Sequence, residues 1–328
     1  MSSYNRLAPA PLSRRLFVSG LFAAALLGGA SPVRAQDAGG DGQKLVVALY
    51  APTSPLPTAE ARFAFVDKVA QKLQSSGIAA EGKVFAKAGD LESAIKKGQV
   101  DLAILDAVYI AERGGAYPVV AVSTASGDPF LRWGLYTHLP SGSILDMSGK
   151  RLAWVAPAGG QPTYITNVLL YGEVKAQFFQ LRPAAPDLSA AVSEVVLRRA
   201  DCVFAPESAV AGKQLRRAYD AGDGGRIPNP ALVQVSQKLT GDTVANIKKA
   251  MSGFNTTGIL DGWRSSGGVG DAYRTLRQRM RGRAERNLVM AEPQRLNTQV
   301  SAAFIQPADA SPVLPALRSL VLAPEGIP

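Results

Sequence analysis

Sulfur and imidazole are almost missing from this chain: its 328 residues hold one cysteine, Cys202, and one histidine, His138. An intramolecular disulfide needs a second thiol, and a Cys or His metal cage needs several ligands, so both are excluded. A Ser/His or Cys/His catalytic pair would have to recruit His138 itself, and no motif organises a nucleophile, a base and an oxyanion hole. An enzyme is therefore not expected, and no cofactor is implied. Long hydrophobic runs are missing too. The apolar stretch Leu16–Ala30 contains three glycines and falls short of the roughly 20 residues a membrane-spanning helix needs. The 32 glycines and 22 prolines follow no period, which excludes collagen-like and solenoid readings. What is present is a 47% apolar composition, enough for a substantial core. At this length two domains are expected, since single cores stop growing at about 250–300 residues.

Residues 1–35 contain Arg6, Arg14, Arg15 and Arg34 and no acid, with the apolar run before a small-residue VRA ending at Ala35. That is the three-part layout of a cleaved secretory signal, and SRRLFV (13–18) resembles the twin-arginine export signal. No cysteine lies near the cleavage point, so a soluble, non-lipidated periplasmic protein is expected. Cleavage would lower the formal net charge from +10 to +6. Much of that remainder is local: DAYRTLRQRMRGRAER, residues 271–286, carries six arginines against two acids. This stretch reads as an amphipathic helix docking by Tyr273, Leu276 and Met280, with an acidic partner or an anionic membrane surface as its functional alternatives. Nucleic-acid binding is not expected, because basic and aromatic residues do not interleave.

Residues 36–43 read as a flexible lead-in. KLVVALY (44–50) suits a buried strand, and Phe63, Val66, Ala70 and Leu73 recur at helical spacing up to Gly77. KVFAKA (83–88) is a second strand, Leu91, Ala94 and Ile95 mark a short helix, and VDLAILDA (100–107) is a third strand. Strands alternating with helices of this length indicate βαβ units and mostly parallel sheets. PVVAVST and LRWGLYTH then read as two extended segments. RLAWV (151–155) opens a second set, with a helix through Ile165, Val168 and Leu169, the strand AQFFQL, a helix from Asp187 and the strand DCVFA. ALVQVS and a helix through Val244, Ile247 and Met251 follow. Residues 266–328 read as an arginine-rich helix and a partly disordered tail.

Four stretches in this order resemble a known family. They are LESAIKKGQVDLAILDAVYIAERGG (91–115), LDMSGKRLAWVAPAGG (145–160), LSAAVSEVVLRRADCVFAPES (188–208), and the helix at Thr243 with GILDGW behind it. Together they are similar to the phosphonate, phosphate and phosphite-type periplasmic substrate-binding proteins of ABC importers, within the type II binding-protein group. The resemblance implies an α/β fold of two lobes, each a mostly parallel sheet flanked by helices. Residues 44–137 and 232–265 would form the first lobe and 138–231 the second. Two hinge crossings are expected near Tyr136–Leu139 and Val233–Ser236, with ligand captured by closure.

The same resemblance directs attention to loops at the carboxyl ends of strands, where helix N-termini favour anions. In the first lobe these carry Tyr50, Thr53 and Ser54, then Asp106 and Tyr109. Asp106 suits an amine or a protonated oxygen, Tyr109 an oxyanion, and plain turn and cap roles stay open for both. In the second lobe, where the family places a run of hydroxyl donors, PAGGQPTYITN offers Gly159, Gly160, Gln161, Thr163 and Tyr164. Glu207 and Ser208 follow DCVFA and would meet an ammonium group or line the rim. Cys202 is expected buried and His138 structural. The expected function is capture of a small polar, anionic, phosphonate-like solute and delivery to an inner-membrane ABC permease. The alternative is a periplasmic accessory or sensory protein that uses the same scaffold to bind a protein partner.

Overall fold

The computed structural model describes residues 44–113, 117–140, 143–174 and 176–282. The expected leader 1–35, the lead-in 36–43, the tail and the end of the arginine-rich stretch lie outside the described residues. In chain order the elements are β1 (Leu45–Tyr50), α1 (Ala59–Ser75), β2 (Ala80–Val84), α2 (Ala88–Lys96), β3 (Leu102–Leu105), α3 (Ala107–Glu112) and β4 (Val119–Thr124). The chain then runs through β5 (Phe130–Thr137), β6 (Arg151–Ala153), β7 (Gln180–Leu181), α4 (Leu188–Val196), β8 (Cys202–Pro206), α5 (Glu207–Val210), β9 (Arg216–Asp220) and β10 (Arg226–Pro228). It ends in β11 (Ala231–Gln234), α6 (Gly241–Met251), β12 (Gly262–Ser265) and α7 (Gly270–Arg281).

Two mixed six-stranded sheets result. The first has the order β12-β4-β11-β3-β1-β2: β2, β1 and β3 are parallel, while β11, β4 and β12 join antiparallel. The second runs β10-β5-β8-β6-β7, parallel only from β8 to β7, with β9 beside β5. The βα alternation thus accounts for the parallel half of each sheet. The antiparallel half of the first sheet is made by β4, laid down before the chain leaves it, and by β11 and β12, laid down after it returns; that of the second is made by β5, β9 and β10.

Local chemistry explains most elements. The Thr58 hydroxyl accepts from Ala61 N at 3.2 Å and caps α1, with Glu60 in the first turn against the helix dipole. Residues Phe65, Val66, Val69, Ala70 and Leu73 form its buried stripe, and Gly77 leaves the helix at φ +83°, a left-handed geometry glycine adopts freely. Phe63, expected on this stripe, is 51% exposed because it sits half a turn from Phe65. β2 begins three residues earlier than expected: Leu45 N already donates to Ala79 O at 2.8 Å, so pairing with β1 starts directly after the turn. The expected helix at Ile165 is a single π-helical stretch, Tyr164–Leu169. Half of AQFFQL is a 3₁₀ turn, Ala176–Phe178, leaving only two strand residues in β7.

The crossings lie elsewhere than expected. β5 belongs to the second sheet, so the first crossing is the tight turn Ala125–Asp128, not Tyr136–Leu139. Ser126 and Gly127 both have positive φ there, 51° and 77°, as a two-residue turn of the primed type requires. β11 already belongs to the first sheet, which moves the second crossing from Val233–Ser236 to Asn229–Pro230. Asn229 is fully buried between the two: its side-chain amide donates to Ser123 O and Asp128 O, both at 3.0 Å, and its backbone N to Pro129 O at 2.8 Å. His138 consequently follows β5 at the far end of the second sheet, not in a crossing.

One apolar core continues from the first sheet through Tyr50, Val108 and Tyr109 into Trp133, Tyr164, Leu169 and Phe204 of the second. A separate core under the other face of the first sheet packs Leu49, Phe65, Leu73, Ile104, Ile247 and Trp263. Cys202 is fully buried, as expected of a free thiol in a strand. α7 docks by Tyr273, Leu276 and Met280, the three residues the sequence singled out. Among the described residues no helix is long and apolar enough to cross a membrane.

Candidate functional site

The loops after β1, β3, β6 and β8 converge where the two lobes meet. Several direct bonds join the lobes there. The Tyr50 hydroxyl donates to Pro157 O at 2.6 Å, Leu188 N donates to Pro52 O at 2.8 Å, and Arg62 on α1 pairs with Asp187, the N-cap of α4, at 2.9 Å. Both ion-pair side chains are about one-fifth exposed, so solvent screens this pair less than a surface one.

The interior of the junction is aromatic and acidic. Tyr50 and Tyr109 meet edge to face at 5.3 Å, as do Trp133 and Tyr164 at 6.2 Å. Asp106 is buried and accepts from Thr53 N at 2.7 Å. Desolvation raises its carboxyl to about 7, against the opposing pull of the Thr53 hydrogen bonds and Arg62. Desolvation likewise lifts Glu112 to about 7 and the Tyr50 phenol to about 12, and raises Tyr109 and Tyr164. Glu112 reaches across the junction toward the backbone of Ala158, and its Oε2 is buried without a hydrogen-bond partner among the described residues. The Trp133 indole N–H is in the same position.

This inner region takes up several residues that the sequence singled out, and their polar groups are already occupied. The Tyr109 hydroxyl donates to Glu92 Oε1 at 3.2 Å within its own lobe, and Tyr164 to Val155 O at 3.3 Å within the other. Thr53 is held by Asp106, which therefore pins the loop after β1.

Nearer the rim the lobes enclose a pocket of about 200 Å³. The first lobe contributes Ser54 to Pro57 and Ile259, the second the start of α4 and the residues after β8. Its polar lining consists of the hydroxyls of Ser54, Ser189, Ser193 and Ser208 with Lys213, and among the described residues no carboxylate lines it. The Ser54 hydroxyl donates to Ala51 O at 2.7 Å and Ser193 to Ser189 O at 2.8 Å, leaving their oxygens as acceptors only, whereas Ser208 Oγ is buried with no partner among the described residues. Ser54 and Ser208, expected from the sequence, are thus brought together. Ser189, Ser193 and Lys213 are not among the expected residues. The sequence shows the start of α4 only as a capped helix, although a helix N-terminus at a strand's carboxyl end is an anion-binding signal.

Gly159, Gly160 and Gln161 are exposed, and Gly159 N is spent on Ala156 O at 3.1 Å. Thr163 is half-buried at the start of the π-helical stretch, and Glu207 points to solvent. None of these five lines the rim pocket. Among the described residues no group of three or more His, Cys, Asp or Glu side chains could hold a metal ion.

Comparison with protein-family models gives no match, and no curated protein sequence matches the chain. Solved structures do match. PhnD1 from Prochlorococcus marinus, in complex with methylphosphonate, aligns with a TM-score of 0.56 at 10% identity, over 73% of this chain and 98% of that one. The binding-protein component of an ABC phosphonate transporter from Pseudomonas aeruginosa gives 0.53 at 14% identity, over 75% and 90%. A Xanthomonas citri protein bound to ATP gives 0.50 at 14%, over 74% and 99%. At such identities the likeness is one of fold. The chain has the two-lobed α/β architecture of type II periplasmic binding proteins.

Proposed function

We propose that this protein is a periplasmic solute-binding protein, not an enzyme, which captures a small anionic solute between its lobes and hands it to an ABC permease. The observation that carries the reading is the rim pocket: its lining comes from both lobes, is rich in hydroxyls, and has Lys213 as its charged group with no facing carboxylate among the described residues. An oxyanion there accepts from the unpartnered Ser208 hydroxyl and pairs with Lys213. Ser208 and Lys213 both stand on the second lobe, and lobe closure brings the first-lobe wall of Ser54 to Pro57 over them. Asp106, with its carboxyl raised to about 7, is only partly ionised near neutral pH, which reduces its repulsion of an anion.

The test is thermal unfolding of the chain with methylphosphonate, phosphate, phosphite, sulfate, arginine and choline. An anion at about 100 times its dissociation constant adds about 2.7 kcal/mol, a shift of a few degrees. Lys213→Ala is expected to abolish that shift. Stabilisation by the two cations alone would refute the anion assignment.

A second reading has one observation in its favour. The apolar core already joins the lobes through Val108, Tyr164 and Tyr273, so the junction is held without any solute. Such a scaffold suits an accessory or sensory protein that engages a protein partner, and a flat solute panel would favour it.

A further inference from the structure

Helix α7 belongs to neither sheet, and solute capture makes no use of it. Its apolar stripe Tyr273, Leu276 and Met280 is at most 6% exposed and packs against α3 of the first lobe on one side and the π-helical stretch Tyr164–Leu169 of the second on the other. Two hydrogen bonds fix it at its ends. The Tyr273 hydroxyl donates to Asn229 O at 2.8 Å, and the Asn167 side-chain amide donates to Met280 O at 2.8 Å. The first partner is the residue that ties both crossings together; the second belongs to the second lobe. Gly282, which ends the helix at φ +52°, lies so close to Asn167 that an added Cβ would stand 2.9 Å from its Nδ2.

We propose that α7 is a strap across the hinge that holds the lobes in the closed arrangement and must loosen for them to separate. The physical reason is geometric. Opening by rotation about Ala125–Asp128 and Asn229–Pro230 moves α3 relative to the π-helical stretch, and one rigid helix cannot stay seated on both. Every degree of opening therefore exposes part of the Tyr273, Leu276 and Met280 stripe or breaks one of the two end bonds. The outward residues Arg274, Arg279 and Arg281 are exposed and take no part in this seating. The strap acts through the hinge, so its effect does not depend on which solute is bound.

The test measures interlobe distance by pulsed electron resonance in the full-length chain without added solute. Nitroxide labels at Gln71→Cys on α1 and Leu197→Cys beyond α4 occupy exposed positions on different lobes, and the buried Cys202 does not compete for label. Tyr273→Phe keeps the ring and removes one hydrogen bond, which should raise the open-to-closed ratio roughly fivefold. Tyr273→Phe with Asn167→Ala should raise it further, producing a distinct longer-distance population. A double variant whose distance distribution matches wild type while its melting temperature falls would overturn the proposal, because α7 would then stabilise the fold without restraining the hinge. If the double variant does not fold, Tyr273→Phe alone decides, and an unchanged distribution overturns it.

Discussion

Replacing Asp106 by asparagine should make the protein more stable at neutral pH, and the gain should vanish in acid. The carboxyl is 1% exposed and is shifted from its ordinary 3.8 to about 7 by desolvation, with Thr53 and Arg62 pulling the other way. A raised acid binds its proton more tightly folded than unfolded. Its favourable contribution is therefore complete below about pH 3.8 and is lost as pH rises to about 7, after which it is flat. Between about pH 4.5 and 8 the loss amounts to about 3 kcal/mol, taking about 1.36 kcal/mol for each pH unit traversed below 7. The asparagine side chain would still accept from Thr53 N through its carbonyl oxygen while carrying no charge to desolvate. The assay is urea unfolding followed by tryptophan fluorescence at half-unit intervals across that range. Wild type should lose stability with rising pH, Asp106→Asn should be flatter by about 3 kcal/mol, and Glu112→Gln should remove a further part of the slope. Equal slopes in wild type and Asp106→Asn, or a wild-type stability that rises with pH, would show the buried carboxyl to be ionised at little cost and refute the reasoning.

Other consequences are open to the same assay. Asp201 accepts from Arg151 N, Nε and Nη2 at 2.8 to 3.0 Å, and this arrangement lowers its carboxyl below the ordinary 3.8, so its stabilisation is present at neutral pH and fades in acid. Asp201→Ala should cost about 2 kcal/mol at neutral pH. Trp263 is 2% exposed and stacks on Phe65 at 5.7 Å; truncation to alanine should cost about 3–5 kcal/mol, read as a shift of the urea midpoint at constant slope. Gly225→Ala would place its Cβ 2.6 Å from Trp133 O and 2.8 Å from Ala221 Cβ, so a loss of about 1–3 kcal/mol is expected.

The fold is legible where hydrophobic periodicity and punctuation coincide. Thr58 and Gly77 bracket α1, Asp187 caps α4, and the run LAIL is a strand buried on both faces. The crossings are not, because LRWGLYTH reads as one continuous strand whichever sheet it joins, and strand pattern carries no information about sheet membership. The signal for the true crossing is Ser126-Gly127-Asp128-Pro129, a cluster of turn-forming residues directly before that strand. At the site, the sequence shows residue types that suit a ligand but not their hydrogen-bond partners. Tyr109 turns to Glu92 and Thr53 to Asp106, choices made by packing between elements far apart in sequence. Ser189 and Lys213 lie in segments whose local pattern is fully explained by a helix start and a surface loop.

The position of β11 bears on how the chain is made. In the first sheet β11 lies between β3 and β4, and it is synthesised only after the whole second lobe. Until residues 231–234 emerge, β4 has no hydrogen-bonded route to β3. A nascent chain can therefore complete its inserted lobe while its first lobe still exposes two open strand edges, a state prone to mispairing. Ribosome-bound intermediates ending before residue 231 should resist protease in the 130–228 region earlier than at β4.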